Sequence, residues 1–299
     1  MPIDGSGVPR AISSYAETRR LLREHGVTPN KRLGQNFIVD PSIAEKIVKA
    51  GRISPGDLII EVGPGVGGLT QILAGQAGRV LAVEIDRRLA IALRSFFEGA
   101  PALEIIEGDI LKQDLRKLVN DRGYERAKII ANLPYCITTP FIMRILENRC
   151  PIEKSVITIQ KEVAERLRAR PGAKEYGAVT VAVYYYAAVE VLTNIPPECF
   201  YPKPAVDSAV VAIIPRDAPG VDTIDEKLFF SCVRAGFGNR RKTLVNCLCG
   251  MDEAVRARLS KTDIAGIVRA CGFDENVRGE AVSPEGFGSI ANALAKKIG

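Results

Sequence analysis

The sequence predicts an α/β protein, a doubly wound, mixed seven-stranded sheet followed by a small all-α C-terminal domain. Three observations carry this. Short apolar runs alternate with stretches long enough for helices, which is the pattern of parallel strands linked by crossover helices. A Gly-rich segment separates the first of these runs from the helix after it. Beyond Pro215 only helical periodicity remains.

Residues 1–30 read as a polar N-terminal extension with one helical stretch around Ser13 to His25. From Pro41, the residues Ile43, Ile47 and Val48 recur at helical spacing, with Asp40 or Ser42 as cap and Gly51 as stop. Strands follow at Leu58–Val62, Val80–Glu84, Leu103–Glu107 and Lys128–Asn132. The helices between and after them are expected at Leu69–Ala77, Asp86–Phe97 and Thr139–Glu147. Three further strands are expected at Ser155–Gln160, Val179–Val191 and Ser208–Ile214; the last two, joined through the Pro-rich segment Ile195–Pro204, fit an antiparallel edge pair. Residues 31–215 thus form the main domain, 216–224 a linker, and 225–299 a helical domain built on Leu228, Phe229, Cys232 and Val233, then Val255 and Leu259, then Ile264, Ile267 and Val268.

Composition removes several function classes. With 299 residues, 46% hydrophobic and 25% charged, the chain can bury a large core and is not a disordered or fibrous protein. Its longest apolar run, Val179 to Val189, is too short and too rich in tyrosine to cross a bilayer, and residues 1–10 carry no apolar signal core. A cytoplasmic protein with no membrane partner is expected. The seven cysteines are scattered and odd in number, so they are read as reduced thiols. One histidine, His25, excludes His-rich zinc sites, Ser-His-Asp triads and Cys-His dyads, and no metal is expected. A net charge of +6 without segregation along the chain suits a polyanion only if folding gathers a basic face.

The chemistry lies at the ends of the strands. Glu61-Val-Gly63-Pro-Gly65-Val-Gly67-Gly-Leu69-Thr70 links the first strand to its helix. Its glycines allow a tight turn and let a ligand approach the backbone, although a purely structural βα turn would use the same residues. Glu84 ends the next strand, twenty-one residues after Gly63, where a carboxylate can accept from both hydroxyls of a ribose. Asp109 follows the third strand and can accept from an adenine amino group. Glu61 would repel a pyrophosphate at the helix N-terminus but suits a sulfonium or ammonium group, which favours S-adenosylmethionine over a dinucleotide; a buried cap is its structural alternative. The fourth strand ends in Asn132-Leu133-Pro134-Tyr135. Transfer to an exocyclic adenine nitrogen needs two acceptors, one for each N–H. The Asn132 side chain and the Leu133 carbonyl can supply them, Pro134 adds no competing donor, and Tyr135 can stack on an extruded base. An ordinary strand-ending turn remains the other reading of these four residues alone.

At this point the chain resembles the ribosomal RNA adenine N6,N6-dimethyltransferases of the KsgA type, over nearly its whole length. The resemblance rests on Lys31-Arg-Leu-Gly-Gln-Asn-Phe37, the Glu61–Thr70 loop, Glu84-Ile-Asp86, Gly108-Asp109, Asn132–Pro140, Gln160–Ala164 with Tyr176-Gly177, Phe200–Ser208 and Arg240-Arg-Lys-Thr-Leu244. It implies a Rossmann-like class I methyltransferase that uses S-adenosylmethionine. The implied reaction dimethylates N6 of two adjacent adenosines in the 3′-terminal hairpin loop of 16S rRNA, in the small ribosomal subunit or its precursor, with a part in small-subunit biogenesis. The cofactor contacts it implies fall on Asn36, Ile38, Gly63, Gly65, Glu84, Asp109 and Asn132. Tyr135 matches the stacking aromatic, Phe200 is expected to form a second wall for the base, and Lys31, Arg32, Arg240, Arg241 and Lys242 are expected to meet RNA. Cys136 is assigned no catalysis, and a monomer is expected. Two rivals stay open: an adenine-N6 methyltransferase of large-subunit rRNA or DNA, and a non-catalytic assembly factor.

Overall fold

A computed structural model of the protein describes residues 11–251 and 257–298, with the backbone alone at Lys31. Residues 1–10 of the expected extension and Val255 of the expected helical pattern lie outside it. The chain divides into two units, Met1–Ala164 with Val189–Pro215, and Glu165–Ala188 with Arg216–Gly299.

The first unit begins with α1 (Tyr15–Glu24), capped by the Ser14 side chain, and α2 (Pro41–Ala50), whose N-cap Asp40 accepts from the N–H groups of Ser42 and Ile43. Between them lies β1 (Phe37–Ile38). Four strands follow, β2 (Leu58–Val62), β3 (Arg79–Glu84), β4 (Leu103–Glu107) and β5 (Ala127–Asn132). They are separated by α3 (Gly68–Ala74), α4 (Arg87–Phe96) and α5 (Leu115–Asn120). Then come α6 (Thr138–Glu147), β6 (Ile152–Gln160), α7 (Lys161–Leu167) and, after α8, the strands β7 (Ala187–Ile195), β8 (Phe200–Tyr201) and β9 (Ser208–Pro215).

Seven strands form one sheet in the order β4-β3-β2-β5-β6-β9-β7, and β1 pairs with β8 in a separate two-stranded ribbon. Strands β2 to β6 run parallel, and β9 is antiparallel to β6. All five residues of β2 are buried, as a central parallel strand requires. The strand order sets the carboxyl ends of β4, β3, β2 and β5 side by side, and with them Asp109, Glu84, Glu61 and Asn132. Ile47, Val48, Ile59, Ile130 and Val156 lie in the core that fixes this edge.

The second unit contains α8 (Ala178–Tyr186), α9 (Glu226–Gly238), α10 (Leu244–Leu248), α11 (Lys261–Ala270) and α12 (Pro284–Ile298). Here the structure corrects the expected strand Val179–Val191: residues 178–186 are helical, and the strand begins only at Ala187. The run Val-Thr-Val-Ala-Val-Tyr-Tyr-Tyr has strong β propensity, but tertiary packing overrides it. Val181 and Tyr185, one turn apart, both enter the helical core, and the Tyr185 ring stacks on Phe229 at 5.1 Å. Thr180 accepts from the Gly177 N–H and donates to the Arg166 carbonyl, securing the start of the helix. The helical unit therefore draws on an earlier chain segment than the expected 225–299. Within the stretch read as a linker, Val221 is 4% exposed and packs into that core.

Candidate active site

The Gly-rich segment turns because its glycines take backbone angles that other residues resist: φ is +64° at Gly63, +61° at Gly65 and +93° at Gly67. At Gly65 there is no room either, since a Cβ would stand 2.7 Å from the Phe37 ring. The turn lines a cavity together with Leu33 to Ile38, Glu61, Glu84, Leu89 and Asn132 to Tyr135. Asn36, Ile38, Gly63, Gly65, Glu84 and Asn132 thus come together as the sequence expects. Asp109 does not line this cavity. It follows β4, whose Glu107 is paired with Glu84, and its Oδ1 accepts from the Leu111 N–H at 2.9 Å.

Two buried carboxyl groups face this region. Glu84 is 3% exposed; one oxygen accepts from the Gly65 N–H at 3.0 Å and the other from the Asp86 N–H at 2.9 Å. Burial pushes its pKa up to about 7, against the pull of those two donors, and the nearby Asp86 charge adds to the rise. Glu61 is 1% exposed and accepts from the Thr70 hydroxyl at 2.7 Å. Burial pushes it up to about 8, the Thr70 hydroxyl opposes this, and the charge of Glu84 adds to it. Glu61 is therefore both a cap-like buried group and a cavity residue.

Asn132 ends β5, and its Nδ2 donates to the Asn36 carbonyl at 2.6 Å. That bond fixes the amide with Oδ1 as its available acceptor. The Leu133 N–H donates to the Thr158 carbonyl of β6 at 3.2 Å. The Pro134 carbonyl already accepts from the Ile137 N–H and the Thr138 hydroxyl, which leaves the Leu133 carbonyl as the backbone acceptor of the turn. Tyr135 is half-buried, and its hydroxyl shares a 2.7 Å hydrogen bond with Ser208, the first residue of β9. Burial holds the phenol above its usual pKa. Ser208 is fully buried and is a positioning residue that sequence reasoning did not find; a serine at a strand end gives no signal without the pairing of β9 with β6.

Other expected residues lie elsewhere. Phe200 is 3% exposed, paired through β8 with Ile38 and packed in the core with Ile43, Ile47 and Val210. The structure places it inside the fold rather than on the cavity wall. Arg32 is exposed in the first unit, and the Lys31 side chain lies outside the described residues. Arg240, Arg241 and Lys242 are exposed in the helical unit, where the Arg240 guanidinium donates to the carbonyls of Lys174 and Tyr176. The described cysteines are all free thiols. Among the described residues, no group of His, Cys, Asp and Glu side chains is placed to hold a metal, and no helix is long and apolar enough to cross a membrane.

The donor set fits a charged nucleoside cofactor. A glycine cradle that a Cβ would fill adjoins a carboxylate that can accept from a ribose, while a second carboxyl and a fixed amide face the same space. The comparisons agree with this geometry. Residues 26–271 match the family model described as ribosomal RNA adenine dimethylase. A ribosomal RNA small subunit methyltransferase A of Alkaliphilus oremlandii is 45% identical over 288 residues, covering 96% of this chain and 99% of that relative. Its counterpart in Pelotomaculum thermopropionicum is 44% identical over 95% of this chain and 97% of its own length. Among solved structures, a dimethyladenosine transferase from Plasmodium falciparum superposes with a TM-score of 0.70 at 26% identity, over 87% of this chain and 98% of that one. The 23S rRNA methyltransferase ErmE superposes with a TM-score of 0.66 at 25% identity, over 87% and 99%.

Proposed function

This chain belongs to the ribosomal RNA adenine dimethylase family, and from that premise we propose that it dimethylates N6 of two adjacent adenosines in the 3′-terminal hairpin loop of 16S rRNA. The fixed Asn132 amide carries this reading. Its Nδ2 is committed to the Asn36 carbonyl, so Oδ1 and the Leu133 carbonyl are the pair of acceptors that a planar amino group requires. The enzyme is an S-adenosylmethionine-dependent methyltransferase, and that cofactor supplies an electrophilic methyl group.

The protein's own contribution is alignment and the exclusion of water. Asn36, Ile38, Gly63, Gly65 and Glu84 would hold the cofactor, and Asp109, outside the cavity but next to the Glu84 strand on the same sheet edge, would meet an adenine that extends past Glu84. Asn132 and Leu133 draw the two N–H groups of the target into one plane and stabilise the positive charge that gathers on nitrogen as it loses its conjugation. Tyr135 holds the base face, and Ser208 holds Tyr135. A strong general base is unnecessary, because the surplus proton of an alkylated amine passes readily to water. Lys31, Arg32, Arg240, Arg241 and Lys242 meet phosphates, which position the RNA without reading its sequence. The protein acts in the cytoplasm as a monomer and takes part in small-subunit assembly.

Small-subunit RNA is favoured over large-subunit RNA because the relatives named for the small subunit reach 45% identity, against 25% for the 23S enzyme. The direct test is transfer of labelled methyl groups to undermethylated small subunits, with large subunits and duplex DNA as controls. Dimethyladenosine in small subunits alone is the expected result. Label confined to large subunits or DNA would move the activity to those substrates, and subunit binding without any label would leave an assembly factor.

The tyrosine gives a graded check. Tyr135→Phe keeps the ring but leaves the buried Ser208 hydroxyl unpaired, so it should cost about 1–2 kcal/mol of stability while kcat stays within a few-fold. Tyr135→Ala also loses the stacking face, worth about 1–3 kcal/mol per base, and should lower kcat/KM by at least tenfold. Denaturant unfolding and steady-state kinetics on the two variants separate the hydroxyl from the ring.

A further inference from the structure

A second cluster of aromatic and cationic groups lies outside the cavity. Tyr15, at the start of α1, is 51% exposed, and its ring meets that of Tyr201 edge to face at 5.6 Å. Arg19, one turn further along α1, places its guanidinium 5.6 Å from the Tyr15 ring centre and 5.8 Å from that of Tyr201. Arg19 is exposed and forms no ion pair among the described residues, whereas its neighbour Arg20 is paired with Glu17 and Glu24. The result is a surface with a half-exposed aromatic ring, a guanidinium over it, and no carboxylate neutralising that cation among the described residues.

Its position ties it to the site. Tyr201 is the register partner of Phe37 in the β1–β8 ribbon. Phe37 lines the cavity, as does Asn36, whose carbonyl holds Asn132. Tyr201 also packs against the cluster that contains Phe37, Ile12 and Leu21, so its orientation is coupled to the cavity wall. A strand that gives up one base to such a cavity must lay its neighbouring nucleotides over the adjoining surface, and those bases have lost a stacking partner. An exposed ring beside an exposed guanidinium is the chemistry that receives an unstacked base and its phosphate.

We propose that Tyr15, Tyr201 and Arg19 form a platform for a nucleotide flanking the extruded adenine, with its base stacked on tyrosine and its phosphate at Arg19. The proposal rests on the RNA-methylating function above and adds a subsite to it. These are positioning residues; none of them touches the reacting nitrogen.

The chain has no tryptophan, so Tyr15→Trp introduces a single tryptophan at the platform, which can be excited apart from the tyrosines. Its emission should be quenched when the naked 3′-terminal hairpin of small-subunit rRNA is added, as a base stacks on it. Tyr15→Ala should raise KM for undermethylated small subunits about tenfold, a stacking contact's worth. Its kcat and its affinity for S-adenosylmethionine should remain close to wild type, and Tyr15→Phe should restore KM. Arg19→Gln should flatten the dependence of log affinity on log salt by about 0.7, one phosphate on a single strand. Thermal unfolding of Tyr201→Ala alongside Tyr15→Ala shows whether any loss is one of folding. A wild-type enzyme that methylates subunits, with Tyr15→Ala unchanged in KM, overturns the platform alone. Quenching by whole subunits but not by naked RNA overturns it as well, by placing protein there. A wild-type enzyme that methylates nothing overturns the function beneath it.

Discussion

Asn132→Ala should lower kcat for methyl transfer by about 10²–10³-fold, the scale on which a single preorganised polar contact to a developing charge is lost. Two effects combine. The Oδ1 acceptor that holds one target N–H disappears, and the Asn36 carbonyl loses the Nδ2 donor that meets it at 2.6 Å. Binding of small subunits should survive, because phosphate contacts elsewhere supply most of the affinity for RNA. Asn132→Asp tests the orientation: a carboxylate oxygen would then face the Asn36 carbonyl oxygen in place of a donor, so the near-isosteric change should not rescue the rate. Single-turnover transfer on prebound subunits measures this directly, and a rate within tenfold of wild type in either variant would mean that Asn132 does not hold the target amino group. Equal loss of subunit assembly in Asn132→Ala would mean that methylation, and not binding alone, supports maturation.

Much of the architecture is legible in the chain because buried parallel strands leave a simple trace. The runs at 58–62 and 127–132 are mostly apolar, and their burial is nearly continuous. Glu61 stands one residue before the end of its run, Glu84 ends its own and Asp109 follows another, so all three can be placed on one edge from the sequence alone. What the chain hides is long-range pairing. The ribbon of Phe37–Ile38 with Phe200–Tyr201 joins segments more than 160 residues apart through two residues each, too few for any periodicity. That ribbon buries Phe200 and turns Tyr201 towards Tyr15. Ser208 likewise becomes part of the site only because β9 returns beside β6, with Gln160 opposite Ser208. The helix at 178–186 is hidden for a different reason: its local preference is for strand, and only the core around Tyr185 and Phe229 decides otherwise.

Affinity for S-adenosylmethionine should rise as the pH climbs from 6 to 8, and Glu84 should account for the slope. In the free chain burial holds this carboxyl near pKa 7, with its two oxygens already accepting from Gly65 and Asp86. A ribose that donates both hydroxyls favours the ionised form, so binding lowers this pKa and releases a proton below neutrality. Affinity should therefore weaken by up to about tenfold for each pH unit below 7 and level off above it. Folding responds with the opposite sign. From the unperturbed value of 4.5 up to about 7, folded Glu84 retains a proton that the unfolded chain releases, so its contribution to the stability of the cofactor-free protein falls across that window and is flat above it. Glu84→Gln should abolish the binding slope, remove Glu84's share of the folding slope while leaving the share that Glu61, raised to about 8, contributes, and weaken binding at pH 8 by about tenfold or more, the cost of losing a charged acceptor for two hydroxyls. Glu61, held near 8 and repelled by Glu84, provides the control. S-adenosylhomocysteine keeps the ribose and lacks the sulfonium charge, so a slope common to both ligands belongs to Glu84, and one seen only with S-adenosylmethionine belongs to Glu61. Calorimetric titrations at pH 6, 7 and 8 distinguish these outcomes, and a wild-type affinity that stays flat across them would mean that Glu84 is already ionised in the free chain.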